Sequence, residues 1–261
     1  MPRVPRFLAN DADVSLCFFT VTQLLMAWTA LREGHISLKD LRVYFALAEI
    51  LAQSRSHGGA SGEAARKFSA QELRQLIGGE GGERSAVEKL LAVGLIRDSS
   101  KSTIEFATDP SELRFVPETL DAALARISNK QQRLVVPVPR HMLCLIASSG
   151  ARRTLIATVL GHLIRCLKRG ASHPKGCVKA SWIANVFGVS AGAVKRQRKH
   201  LVELGWLIPQ GTSQKILNLH GRSLAVNLAW NGSTVDQGAL GQGPPELQGT
   251  SSPLAAAAVL S

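Results

Sequence analysis

The stretch VKASWIANVFGVSAGAVKRQRKHLVELGWLI, residues 178–208, decides the reading of this chain. Residues 180–187 predict a helix that turns Ile183, Val186 and Phe187 to one side. Gly188 follows, where a tight turn favours a residue without a Cβ, and Ser190 stands where a hydroxyl caps a second helix. In that helix Val194, Leu201 and Leu204 recur at helical spacing and should pack on the first. Ala184, Gly188 and Val194 hold the small, turning and buried positions that let two helices cross closely. Gly205 ends the second helix, and Trp206, Leu207 and Ile208 open a strand. The same helix carries Lys195, Arg196, Arg198 and Lys199, four cations in five residues. A solvated charged helix on a core hairpin would carry the cations without the turn, the cap and the strand. The joint pattern is that of a helix-turn-helix. Its second helix fits the major groove, N-terminal half toward base edges and cations toward phosphates.

The charge is distributed in agreement with this. The 261 residues carry a formal charge of +12, so an anionic partner is expected. Residues 129–230 hold 16 Lys and Arg against one acid, Glu203, whereas residues 1–128 hold 15 bases and 16 acids. One half of the protein is therefore an anion-binding body and the other is electrically ordinary, a local footprint of the kind nucleic-acid binding requires. Double-stranded DNA is the expected partner.

The four cysteines, Cys17, Cys144, Cys166 and Cys177, form no CxxC pair and no secreted disulfide framework, which points to a reduced cytoplasmic protein. His162 and Cys166 lie one helical turn apart, with His173 and Cys177 following. Without a paired ligand motif, buried thiols explain them better than zinc. The run VSLCFFTVTQLLMAWTAL, residues 14–31, is interrupted by Thr20, Thr22, Gln23 and Thr29 and falls short of a membrane span. Val14, Cys17, Val21, Leu24, Trp28 and Leu31 form a stripe, predicting one amphipathic helix that packs on the protein or pairs subunits.

A weak internal repeat organises the rest. Leu47, Ile50 and Leu51 match Leu160, Leu163 and Ile164. Leu73, Leu76 and Ile77 match Ile183, Val186 and Phe187. Leu90, Leu91, Gly94 and Leu95 match Leu201, Val202, Gly205 and Trp206. Each copy reads helix, loop, helix, turn, helix, then two strands. Ser37, Ser69 and Ser85 each precede an acid by three residues (Asp40, Glu72, Glu88), the mark of a capping box. The wing tip of the first copy falls at 97–101, with its return strand at 103–107. In the second copy the wing strands are expected at 215–220 and 224–228. Between the copies a short helix at 118–127 and the extended run LVVPVPR (134–140) are expected, since its prolines disfavour helix. The fold class is thus mainly α with small β wings: two tandem winged-helix domains at 35–110 and 151–230. A helix at 1–34 precedes them, a linker at 111–150 joins them, and a tail rich in Gly, Pro, Ser and Ala at 231–261 is expected to be disordered.

Recognised catalytic patterns are absent. The chain has no phosphate loop, no GxSxG and no HExxH, and its basic half has one carboxylate where paired-metal chemistry needs several. GGEGGE (78–83) sets carboxylates where a phosphate would sit and is a helix-linking loop. Tyr44, the only tyrosine, lies among apolar residues. No enzyme activity and no cofactor are expected.

On the two helix–helix–helix–hairpin copies, the second strongly basic, the chain resembles plasmid replication initiators of the tandem winged-helix type. The resemblance is architectural and is carried best by residues 178–208. It implies that the C-terminal unit reads repeated origin sites while the N-terminal unit supplies self-association or a second contact. By that likeness Ser190, Lys195, Arg196 and Lys199 face the groove, with Arg198 in the same cluster, and Lys179, Lys215 and Arg222 contact backbone. A transcription regulator of a mobile element would use the same domains without starting replication. A scaffold recruiting partners to DNA would need only generic contact.

Overall fold

The computed structural model describes residues 16–57, 70–77, 81–98, 104–132, 134–148, 150–167 and 174–230. The described chain is mainly helical with small antiparallel sheets. The anticipated tail at 231–261 lies outside these residues, as do Val14, Ser69, His173 and positions 99–103.

The described residues open with a strand inside the stretch where a single helix was expected. β1 (Leu16–Thr20) pairs antiparallel with β4 (Val135–Pro139), Leu16 opposite Pro139 and Thr20 opposite Val135. Cys17 and Phe19 point inward while Phe18 is exposed, the two-residue alternation of a strand. Thr20 then caps α1 (Val21–Arg32): its hydroxyl accepts from Gln23 N at 3.1 Å, and Gln23 Oε1 accepts from Thr20 N at 2.8 Å. The helix is sheathed on almost every side, Leu24 and Trp28 included. Its expected stripe is thus spent on the chain's own core, and that face is closed to a second subunit.

The first copy follows as α2 (Leu38–His57), α3 (Ala70–Leu76), α4 (Glu83–Ala92) and the hairpin β2 (Ile96–Asp98) with β3 (Ile104–Phe106). Ser37 and Asp40 form the expected capping box. Ser85 and Glu88 do not, because α4 starts earlier, after Gly82, and encloses both.

Residues 111–150, anticipated as a linker, are built into the body. They hold α5 (Leu120–Leu124), α6 (Asn129–Gln132), β4 and α7 (Arg140–Ala147). α7 packs along α2, where the Arg140 guanidinium pairs with the buried Glu49 carboxylate. Arg42 of α2 donates to Ala151 O through Nη2 at 2.6 Å. Pro137 and Pro139 fit because a two-stranded ribbon leaves each strand one unpaired edge.

The second copy comprises α8 (Arg153–Cys166), β5 (Lys175–Val178), α9 (Ala180–Phe187), α10 (Ala191–Glu203), β6 (Leu207–Pro209), α11 (Gln214–His220) and β7 (Arg222–Val226). Its sheet order is β5-β7-β6. Residues 215–220, anticipated as a wing strand, are helical. Ser213 Oγ accepts from Ile216 N at 3.4 Å to start α11, and Gly221 ends it at φ +88°. β7 then begins at Arg222.

The two copies correspond in their main-chain bonds. Leu95 N donates to Leu90 O at 3.1 Å, and Trp206 N to Leu201 O at 3.0 Å. Ala107 N donates to Leu95 O at 3.0 Å, and Asn227 N to Trp206 O at 2.9 Å. Gly94 and Gly205 end the third helices in the left-handed region, at φ +79° and +72°. One hydrophobic cluster runs from Cys17 to Trp230 through both copies.

Candidate nucleic-acid interface

The helix pair forms where the sequence placed it. Ile183, Val186 and Phe187 are buried beneath α9, and Gly188 closes that helix at φ +63°. Ser190 is the N-cap residue of α10 by backbone geometry, but its hydroxyl makes no capping bond and is exposed. Val194 and Leu201 are buried under α10, whereas Leu204 is only partly so. The spacing of a 3.6-residue helix then turns Gly192, Lys195, Arg196, Lys199, His200 and Glu203 outward, and all six are exposed. Glu203, the single acid of the basic half, lies 3.8 Å from Lys199 at the far end of this face.

A cleft of about 730 Å³ lies beside the face, between α10, the start of α9, β7 and α11. Lys179, Lys195, Arg198, Lys199 and Arg222 line it, and Val178, Ala180, Val202 and Leu217 give it an apolar floor. It therefore gathers five of the eight candidate residues. Arg196 sits on the outward face away from the cleft, and Ser190 at the helix entrance. Lys215 is exposed on α11, in a helix where a strand position was assigned to it.

Arg198 differs from its neighbours. It is half-buried, and Nη2 donates to Val178 O at 3.1 Å, tying α10 to β5. Its Nε is buried without a partner among the described residues. Burial first, and then the charge of Arg222, hold its pKa below the ordinary guanidinium value. Five cations against Glu203, the one carboxylate lining the cleft, favour an anion there. Arg198 thus has a structural bond as well as a charge, which its place in the sequence cluster did not reveal.

His162 and Cys166, weighed as zinc ligands, are core residues. His162 Nδ1 stands 2.6 Å from Thr158 O, and since a carbonyl only accepts, Nδ1 carries the proton. Cys166 Sγ approaches Leu224 O at 3.6 Å. Among the described residues no group of three His, Cys, Asp or Glu is placed to hold a metal ion, and no helix is long and apolar enough to cross a membrane. Tyr44 is buried, which pushes its phenol well above the ordinary value.

An exposed apolar group near the cleft was not singled out from sequence. α11 buries none of its own side chains, and Ile216, Leu217 and Leu219 are exposed there, with Ile208 on β6. Nor was the contact of α1 with the helix pair. Trp28 Nε1 donates to Phe187 O at 2.9 Å, and the two rings meet edge to face at 5.2 Å. No protein family, no characterised protein and no solved structure matches the chain.

Proposed function

We propose that this chain is a sequence-specific double-stranded DNA-binding protein, built from two winged-helix units of which the second reads the DNA. The observation that carries the reading is the outward face of α10, where Lys195, Arg196 and Lys199 stand exposed beside a cleft lined by further cations. A helix lying in the major groove presents base-reading side chains from such a face, and flanking cations meet phosphates. The order α8, β5, α9, α10, β6, α11, β7, with the sheet running β5-β7-β6, supports the reading, since it corresponds to the winged-helix order once α11 is set aside. α11 is then a helical insertion in the wing. The first copy lacks a comparable surface: α4 exposes Arg84, Glu88 and Lys89, and a carboxylate there repels phosphate.

In this reading the protein acts by binding, without a cofactor, on DNA in the cytoplasm. The likeness to tandem winged-helix plasmid initiators makes replication initiation at repeated sites of a plasmid or mobile element the proposed role. Self-association through the N-terminal half would use a surface other than the buried stripe of α1. The test is selection of bound duplexes from a random library, followed by asking whether a fragment carrying the selected sites replicates autonomously when the protein is supplied. Selected sites that govern transcription but support no replication would identify a regulator. Recovery of no sequence preference would overturn the specific reading.

A further inference from the structure

Three guanidinium groups ring the turn between α9 and α10, and two of them come from outside that helix pair. Arg32 ends α1, and its side chain rests on the turn: a Cβ at Gly188 would lie 3.0 Å from Arg32 Nε and 3.2 Å from Cζ. Trp28, one turn earlier on α1, fixes this placement through its bond to Phe187 O. Arg126 follows α5 and donates from Nη1 to Asn185 O at 3.0 Å, while its carbonyl accepts from Trp182 Nε1 at 3.2 Å. Arg196 reaches back along α10, its Nη1 3.9 Å from where a Cβ of Gly192 would lie. All three residues are exposed.

The fold does not use up these charges. The Arg32 side chain makes no hydrogen bond and no ion pair among the described residues, so it is not half of a salt bridge. Glu33, its neighbour in sequence, faces elsewhere, accepting from Thr119 N at 2.7 Å and lying 3.6 Å from His35. Arg126 spends one nitrogen on a carbonyl and meets no carboxylate among the described residues. An exposed cation that no carboxylate neutralises keeps its charge available for a phosphate.

We infer that Arg32 and Arg126 bind DNA phosphates beside the entrance of α10, so that segments outside the second unit build part of its DNA surface. The inference rests on the reading of α10 as the groove helix. The partner is the phosphodiester backbone of a duplex, and the contact extends the interface to the turn between α9 and α10. It also gives the contact of α1 with Phe187 a consequence beyond packing, since it positions a cation at the interface.

The experiment measures the Kd of the full-length protein for a duplex carrying its selected site, across salt from about 50 to 200 mM, where each phosphate contact steepens the log–log slope by about one. Arg32→Gln and Arg126→Gln are each expected to make the slope shallower by about one unit, weakening all sequences alike. Arg32→Lys should keep the wild-type slope. Because Arg126 also holds Asn185 O, Arg32→Gln decides if Arg126→Gln lowers the melting temperature. A wild-type slope in folded Arg32→Gln overturns the inference and leaves the reading of α10 standing. A wild-type protein without salt-dependent duplex binding overturns both.

Discussion

Lys195 and Arg196 stand on the outward face of α10, whereas Lys179 stands at the cleft where α9 begins, and in the proposed reading the difference separates specificity from affinity. A side chain paired with a base edge is worth ~1–3 kcal/mol of discrimination between the selected site and a mismatched one, and Arg196→Ala or Lys195→Ala should forfeit that amount. Lys179→Ala should weaken both duplexes about equally. Competition binding with matched and mismatched duplexes checks this. A change of preference in Lys179→Ala alone would mean that the wrong element is assigned to reading. A second residue-scale expectation concerns His162, whose pKa is pushed down to about 3 by burial and then by the Arg198 charge, against a smaller opposing effect of its bond to Thr158 O. The folded protein keeps the imidazole neutral while the unfolded chain takes a proton near pH 6.5. Stability from this group is therefore complete above pH 6.5 and falls as pH drops toward 3, at up to ~1.4 kcal/mol per pH unit. Carboxylates with lowered pKa, such as Glu83 and Glu112, add their own loss only below about pH 4.5. Urea unfolding from pH 7 to 5 should show the decline, and His162→Gln should flatten it. An equal slope in the variant would assign it to another group.

The turn between α9 and α10 is the element that sets how the basic helix is presented. Gly188 is in the left-handed region, where a Cβ costs ~1–2 kcal/mol, and that Cβ would press on Arg32. Gly188→Ala should lower stability by about that amount in denaturant titration; an unchanged midpoint would show that the turn relaxes freely. This element was legible because its signals were local: apolar spacing and a glycine within one short stretch, with Ser190 at the N-cap position although its hydroxyl makes no capping bond. The capping box of α2 was legible for the same reason. Three elements were not. LCFFT is apolar on both faces and fits a helical stripe as well as a strand; its partner β4, more than a hundred residues later in the chain, decides the matter. RHMLCLIA follows two prolines and falls within the expected linker, and α7 forms where α2 covers its apolar side. Within QKILNLH only Leu217 to His220 alternate apolar and polar like a strand, and the Ser213 cap and Gly221 make the segment a helix.

At the scale of the whole molecule, the repeat was visible in sequence but the joining of its copies was not. Buried positions recur between copies because each must cover its own hairpin. Contacts such as Trp28 on Phe187 and Arg42 on Ala151 O link residues 109 or more positions apart and leave no local trace. The single continuous core has a consequence for dissection. A fragment of residues 129–230 leaves behind α1 and α2 and uncovers Phe187 and α7. It should lack a cooperative melting transition, while the full chain should melt in one step. A fragment that melts cooperatively at the full-length temperature would show the second copy to be autonomous. The duplex-binding surface proposed for the basic half is tested most directly by the salt dependence of the full chain's affinity for duplex DNA. With about 5 to 8 phosphates neutralised, the log–log slope should lie near −4.5 to −7. A slope near zero, or affinity for duplex no greater than for an uncharged competitor, would contradict it.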